Sequence, residues 1–200
     1  NPTKAVVAWD SKTSVSKRRA LFADYKAGRV KPGDDFYTQM PLLKELISDL
    51  GWSFVEVDDY EADDIIGTLS RQADDAGDWE TYIISSDLDM LQIVDNDIHM
   101  YQLKRGFSDV QKFDIPAIEA KYGLKKSQFL DLKSIKGDSS DNIPGVAGIG
   151  EKTAVKLICE FSSLDGLYEN YESSSLSKGI KEKLAKDREM AYTSRFLAEI

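Results

Sequence analysis

Carboxylates recur in this sequence where an apolar run stops. Asp10 ends the run Lys4–Asp10, while Glu61, Asp63 and Asp64 follow Ser53–Val57 and open a helical pattern. Asp87 and Asp89 follow Thr81–Ser85, and Asp138 and Asp141 stand in Gly-Asp-Ser-Ser-Asp-Asn (137–142), outside any strand pattern. In an open parallel sheet, ligands bind beyond the carboxyl ends of the strands, so three strand ends would aim acids into one crevice. Glu61 and Asp64 share a helix face, and Asp87 and Asp89 can both point inward from an extended turn. Crowded carboxylates raise one another's pKa, a cost that cations cancel. Oxygen-only ligands select Mg²⁺ or Mn²⁺ over Zn²⁺. Acids enough for two ions, about 3.5–4 Å apart, make a site that activates a water and stabilises the leaving oxygen of a phosphodiester. Helix capping and the macrodipole would explain any one of these clusters alone. They do not explain three successive strand ends together with the 137–142 loop.

A second signal is independent of the acids. Pro144–Ala154 reads Pro-Gly-Val-Ala-Gly-Ile-Gly-Glu-Lys-Thr-Ala, a glycine-rich turn running into a helix. Gly145, Gly148 and Gly150 allow close backbone approach, and the free amides ahead of Lys152 and Thr153 can hold a phosphate. This is the physical form of a helix–hairpin–helix over about 137–160, which grips the DNA backbone without reading sequence. A bare Gly-x-Gly would be only a tight helix–helix turn; the full string is more specific. A third signal is basic. Residues 11–35 carry seven Lys or Arg against three Asp and no core pattern. Lys17, Arg18, Arg19, Lys26 and Arg29, with Phe22 and Tyr25 between them, would contact phosphates and stack on a base; the plainer alternative is a solvated charged loop.

Strand and helix patterns alternate through the first half to hold these residues. Strands are expected at Lys4–Asp10, Ser53–Val57 and Thr81–Ser85, with a further strand or hairpin arm at Ile98–Leu103. Helices are expected over Phe36–Leu50, on an apolar face of Phe36, Met40, Leu43, Leu46, Ile47 and Leu50, over Ala62–Ala76, and briefly over Leu88–Val94. That order predicts an α/β, doubly wound parallel sheet. From Ile115 onward only helices are expected: one opening at Ile115, then Lys126–Ile135, Lys152–Phe161 and Leu184–Ile200, with a surface loop at 173–178. The domains are set at 1–112 and 113–200.

Two hundred residues, 42% of them apolar, suffice for a core. No run reaches the length of a membrane span. Single Cys159 and His99 exclude a disulfide framework and leave little material for a Cys or His zinc site or for Ser-His chemistry; both read as ordinary structural residues. The net charge of −9 argues against bulk attraction to DNA or anionic lipid, although a local basic patch remains open. The chain opens directly into a strand with no secretory signal, which reads as a fragment whose N-terminal part is missing.

On these residues the chain resembles the 5′-nuclease family, most nearly the 5′→3′ exonuclease domain at the front of bacterial DNA polymerase I. The strings that carry the likeness are Glu61-Ala-Asp-Asp-Ile-Ile-Gly-Thr-Leu, Ser86-Asp-Leu-Asp-Met-Leu-Gln, and Gly137-Asp-Ser-Ser-Asp-Asn-Ile-Pro-Gly-Val through Gly150-Glu-Lys-Thr-Ala, with Asp10 and Tyr25-Lys-Ala-Gly-Arg29. The resemblance implies a PIN-like nuclease domain followed by a helical subdomain. It implies one metal on Asp10, Glu61, Asp63 and Asp64, and a second, bridged by Asp87, with Asp89, Asp138 and Asp141. Lys26 would meet the scissile phosphate and Arg18 would steady the strand, both in or near an arch over about 11–35 through which a 5′ single strand passes. Potassium would sit on hairpin carbonyls around Val146–Ile149. The implied partner is DNA with 5′ ends, flaps or nicks, RNA primers included. The implied setting is a monomer in the bacterial cytoplasm near the nucleoid, with a polymerase portion possible in the full-length protein.

Two departures qualify this. The family's earlier strand, ending in an Asp-Gly pair whose Asp is also a ligand, does not precede Asn1. The family usually has Phe before the arch Arg, where this chain has Lys17, so Arg19 could stand in for Arg18. A non-catalytic junction-binding module is therefore the rival expectation, and an RNA-cleaving nuclease is disfavoured by the hairpin string.

Overall fold

The computed structural model describes residues 2–105 and 108–200; Asn1, where the expected nuclease domain opens, and residues 106–107 lie outside it. The first half runs β1 (Val6–Asp10), α1 (Ser16–Leu21), α2 (Asp34–Asp49), β2 (Ser53–Val57), α3 (Ala62–Ala76), β3 (Thr81–Ser85), a 3₁₀ turn at Leu88–Gln92, β4 (Ile98–Leu103) and β5 (Val110–Phe113). The second half is helical: α4 (Ile115–Tyr122), α5 (Phe129–Lys136), α6 (Glu151–Phe161), α7 (Leu164–Asn170), α8 (Lys178–Lys186) and α9 (Arg188–Ala198). The class is α/β with a helical C-terminal part. No helix among the described residues is long and apolar enough to cross a membrane.

The expected single sheet is two smaller ones. β1 pairs in parallel with β2, placing Asp10 opposite Val57, and β3 pairs in parallel with β4. β5 lies antiparallel to β4, because the connection after Leu103 is too short for a crossover and closes as a hairpin. No ladder joins β1 to β3 among the described residues, and β3 is covered on one face only. Ile83 is buried while Ile84 is 65% exposed. α3 lies against β1, β2 and β3 and spans both sheets. It begins where the Asp64 carboxylate takes the Glu61 backbone N–H at 2.9 Å, and it ends at Gly77 in the left-handed conformation.

One core packs Ile83, Met90, Leu91, Met100, Phe113 and Ile118, so α4 belongs to the sheet side. A second packs Leu132, Ile135, Leu157, Ile158, Leu167 and Leu184 within the helical part. A third, small cluster joins Tyr25, Ile143, Leu197 and Ala198, binding the basic segment to the hairpin and to α9.

Several expectations change. Residues 11–35 are not patternless: they contain α1 and bury Tyr25 to 3% exposure. Only Ile47 of the expected α2 face is buried, since α2 lies on the two-stranded sheet, which is too narrow to cover it. The expected helix Leu184–Ile200 breaks at Asp187, whose carboxylate instead accepts the Ala147 N–H at 2.9 Å. α7 and most of α8 lie outside the expected helices. They are short, and α7 starts only because Ser163 caps it through the Gly166 N–H at 3.0 Å.

Candidate active site

The strand ends place the acids as the alternation of elements dictates. Asp10 closes β1, and its Oδ1 accepts the Ala62 N–H at 2.7 Å, tying that strand end to the start of α3. Glu61, only 3% exposed, stands just ahead of α3. Asp63 and Asp64 follow in the first turn. Asp87 ends the β3 segment and takes the Asp89 N–H at 2.9 Å, which fixes the turn. Asp138 and Ile143 exchange backbone hydrogen bonds at 2.8 Å in both directions, so Asp138 and Asp141 sit on a closed loop at the start of the hairpin.

Basic side chains stand between these groups. Arg18 donates through Nη1 to Glu61 Oε2 at 2.9 Å and to Asp64 Oδ2 at 2.8 Å, and through Nη2 to Asp64 Oδ1 at 2.8 Å. Its Nε and Nη2 also hold the Leu197 and Glu199 carbonyls at 3.1 and 2.6 Å. Lys26 pairs with Glu61 and lies 3.7 Å from Asp141, and Arg29 reaches Asp141 at 2.5 Å. Lys133, from α5, joins Asp89 to Asp138, the latter at 2.9 Å. Sequence reasoning missed Lys133. Its signal was a lysine set between Leu132 and Ile135, where a helix turns its apolar face inward.

Among the described residues no three of the carboxylates close on a common point as metal ligands would. The ammonium and guanidinium groups occupy the space between them. Arg18, not Arg19, faces the acids; Arg19 donates to the Tyr25 and Lys26 carbonyls at 2.9 and 3.4 Å. Tyr25 gives its hydroxyl to Glu61 at 2.8 Å with its ring in the core, so it is not presented to a base. Lys26 holds a left-handed backbone at φ +54°, a strained state for lysine. The strain is held by its N–H bonding the Asp141 carbonyl at 2.9 Å.

The electrostatics follow from this packing. Burial, then the facing Asp87, pushes the Asp63 carboxyl up to about 7, with Glu61 and Asp10 adding to the effect against Lys26. Burial works the same way on Asp64, but the Arg18 fork outweighs it and holds that group below its ordinary value. Burial also opposes ionisation of Asp138, yet Ser140 and Lys133 bring it down to about 2. Asp89 is raised by burial despite Lys133. Lys133 is raised because Asp89 and Asp138 overcome its burial.

The hairpin lies beside this cleft. Gly145 takes φ +64°, and a Cβ there would stand 2.3 Å from the Gly137 nitrogen and 2.6 Å from the Ile135 carbonyl oxygen. Its N–H donates to buried Ser194 Oγ at 2.9 Å. Val146 and Ile149 bury their side chains, Gly148 takes φ +74°, and Gly150 leads into α6. Lys152 is exposed in the first turn of α6, and the half-buried Thr153 donates its N–H to the Gly150 carbonyl at 3.0 Å.

Two family profiles match the chain end to end: the 5′-3′ exonuclease N-terminal resolvase-like domain over residues 1–123, and the 5′-3′ exonuclease C-terminal SAM fold over residues 124–200. DNA polymerase I of Lactococcus lactis subsp. lactis is 45% identical over 201 residues, covering 100% of this chain and 23% of the relative. DNA polymerase I of Bacillus subtilis is 40% identical, covering 100% and 22%. The chain thus spans less than a quarter of the length of these relatives. Among solved structures, a point mutant of the T5 5′-exonuclease is similar at TM-score 0.80 and 21% identity, over 98% of this chain and 74% of that one. A bacteriophage T5 flap endonuclease in a pseudo-enzyme-product complex with DNA and metal ions is similar at TM-score 0.77 and 21% identity, with the same coverage. These two likenesses carry the fold.

Proposed function

The chain belongs to the 5′-3′ exonuclease family, and from that premise we propose that it hydrolyses phosphodiesters at DNA 5′ ends, 5′ flaps and nicks, RNA primers on DNA included, with two divalent ions. One observation carries this reading. Carboxylates from four chain segments gather at one cleft, where Arg18 and Lys26 pair with Glu61, Asp64 and Asp141, Lys133 pairs with Asp89 and Asp138, and Asp63 faces Asp87. The donors are all oxygen, as Mg²⁺ or Mn²⁺ require. The Asp63 carboxyl, raised first by burial and then by the facing Asp87, is the acid of this group that a cation would favour most. Asp10, Glu61, Asp63 and Asp64 would hold one ion, and Asp87, Asp89, Asp138 and Asp141 the other. When bound, the ions would activate a water and stabilise the departing oxygen.

The chain's own residues do the rest. Lys26, buried and fixed by its backbone bond to Asp141, sets its ammonium between Glu61 and Asp141, from which it would meet the scissile phosphate once ions neutralise those acids. Arg18 holds Glu61 and Asp64 together; its five donors are all taken by these carboxylates and by the Leu197 and Glu199 carbonyls, so the strand contact expected of it has no free donor in this arrangement. Arg29, half exposed beside Asp141, offers a further phosphate contact. On the hairpin, the amides around Gly148 and Gly150 and the Lys152 ammonium would take a duplex phosphate without reading bases. Continuity with a polymerase portion follows from the relatives at the level of proposal.

The test is cleavage of a 5′-labelled flap duplex by this chain with Mg²⁺, with Mn²⁺ and with chelator, alongside Asp87→Ala. Metal-dependent release of short 5′ products, lost in Asp87→Ala with the flap still bound, is the expected result. Binding without cleavage in either form would leave a junction-binding module.

A further inference from the structure

We propose that the hairpin carries its own cation: the Lys183 ammonium stands where the family resemblance calls for potassium. With Asp187 it sets the hairpin in its phosphate-gripping form as a pair of positioning residues. The inference rests on the hairpin being a DNA-backbone grip.

The observation is a three-point clamp from α8 and α9 on the hairpin. Lys183 Nζ donates to the Gly148 carbonyl at 2.8 Å. Asp187, one turn further along, accepts the Ala147 N–H through Oδ2 at 2.9 Å. Ser194 Oγ, fully buried, accepts the Gly145 N–H at 2.9 Å. The Val146 carbonyl is meanwhile engaged by the Ile149 N–H at 3.0 Å.

A potassium ion needs several free carbonyl oxygens converging on it. In the Val146–Ile149 turn the Gly148 carbonyl already holds the Lys183 ammonium. A Cβ on Gly148 would lie 2.9 Å from that same Nζ, so the lysine fills the space beside the turn. A second cation at this spot would meet like charge at contact distance. The residues present therefore do not fit the ion. The lysine delivers the same positive charge through a covalent tether, and it spares the loop the loss of freedom that capturing an ion imposes. Lys183 and Asp187 sit four residues apart on the rim of the helical core, so the shape of the grip is dictated by the α8–α9 junction.

The experiment measures flap-duplex affinity of the 200-residue chain, in chelator, at matched ionic strength of potassium or tetramethylammonium. The variants are Lys183→Met, Lys183→Arg and Asp187→Asn. Wild type is expected to bind equally in both salts, within about twofold. Lys183→Met is expected to lose about tenfold in tetramethylammonium and to regain most of it in potassium, while Lys183→Arg stays near wild type and Asp187→Asn weakens equally in both salts. Thermal midpoints without DNA give a second reading. Potassium should raise that of Lys183→Met and leave wild type unmoved even if the chain binds no DNA, which separates this proposal from the DNA-binding reading. A wild-type chain that weakens severalfold, or melts lower, when potassium is withdrawn would overturn it. So would a Lys183→Met chain that matches wild type in both salts.

Discussion

The backbone N–H of Lys26 donates to the carbonyl of Asp141 at 2.9 Å, and its ammonium stands 3.7 Å from the Asp141 carboxylate. Two segments far apart in sequence are thereby fixed to each other across the cleft. Asn142 adds to the join by donating to the Asp24 carbonyl at 2.8 Å.

On the proposed reading, Lys26 serves the reaction more than substrate affinity. Lys26→Met should lower flap cleavage by roughly 10²–10³-fold, the scale of removing one pre-organised charge from a reacting oxyanion. Flap affinity in chelator should change far less. Single-turnover rates beside equilibrium binding check this, and equal losses in both would contradict it.

Arg18 is the cation on which Glu61 and Asp64 depend. Arg18→Met leaves Asp64 without its cation, while Glu61 keeps Lys26 and the Tyr25 hydroxyl, at a cost of about 3 kcal/mol. Urea unfolding in chelator measures that loss. Millimolar Mn²⁺ should restore part of it, because added ions supply the missing charge. A variant as stable as wild type in chelator would show that the fork carries little.

The raised Asp63 carboxyl gives stability a definite pH dependence. Its ordinary value is 3.8, and in the fold it lies at about 7. The folded chain therefore holds the proton more tightly than the unfolded chain. Ionising Asp63 costs nothing below about pH 4, costs more as the pH climbs towards 7, and costs its full amount above that. Asp63→Asn removes the cost. It should be more stable than wild type near pH 8 in chelator, by on the order of 2 kcal/mol, and no more stable at pH 3.5. Denaturant midpoints at the two pH values decide the matter.

Gly145 tests the hairpin's packing. A methyl there would meet the Gly137 nitrogen and the Ile135 oxygen inside normal contact, on a backbone at φ +64°. Gly145→Ala should cost at least about 2 kcal/mol and weaken duplex binding, whereas Gly150→Ala, with open space around the position and φ −86°, should be mild. Comparable losses in the two variants would count against this account.

The acidic framework was legible because carboxylates at strand ends obey a rule of topology, so Glu61, Asp63, Asp64, Asp87 and Asp89 could be assigned to one crevice before any coordinates. Gly145 and Gly148 were legible for a similar reason, since left-handed turns leave few alternatives in residue choice. What could not be read was how the chain neutralises its own acids. Arg18, Lys26 and Lys133 are ordinary surface residue types, and only long-range packing brings them inward. The polar look of residues 11–35 hid the burial of Tyr25 for the same reason: its apolar neighbours Ile143, Leu197 and Ala198 come from far along the chain. The split of the sheet was equally hidden, because strand patterns report which residues form strands and say little of which edges meet.

The far end of α9 furnishes much of the wall around Arg18. The guanidinium holds the Leu197 carbonyl across 179 positions of sequence, Gln92 holds that of Ala198, and Ile200 packs onto Gly67 of α3. Contacts of such separation close late in folding. On a ribosome, residues 10–141 are made while nothing yet stands against Arg18 from the C-terminal side. The acids and bases of the cleft are then free to repel or mispair. The cleft takes its folded form only once residues 197–200 have left the exit tunnel, so the wall around Arg18 is the last part of it to be built.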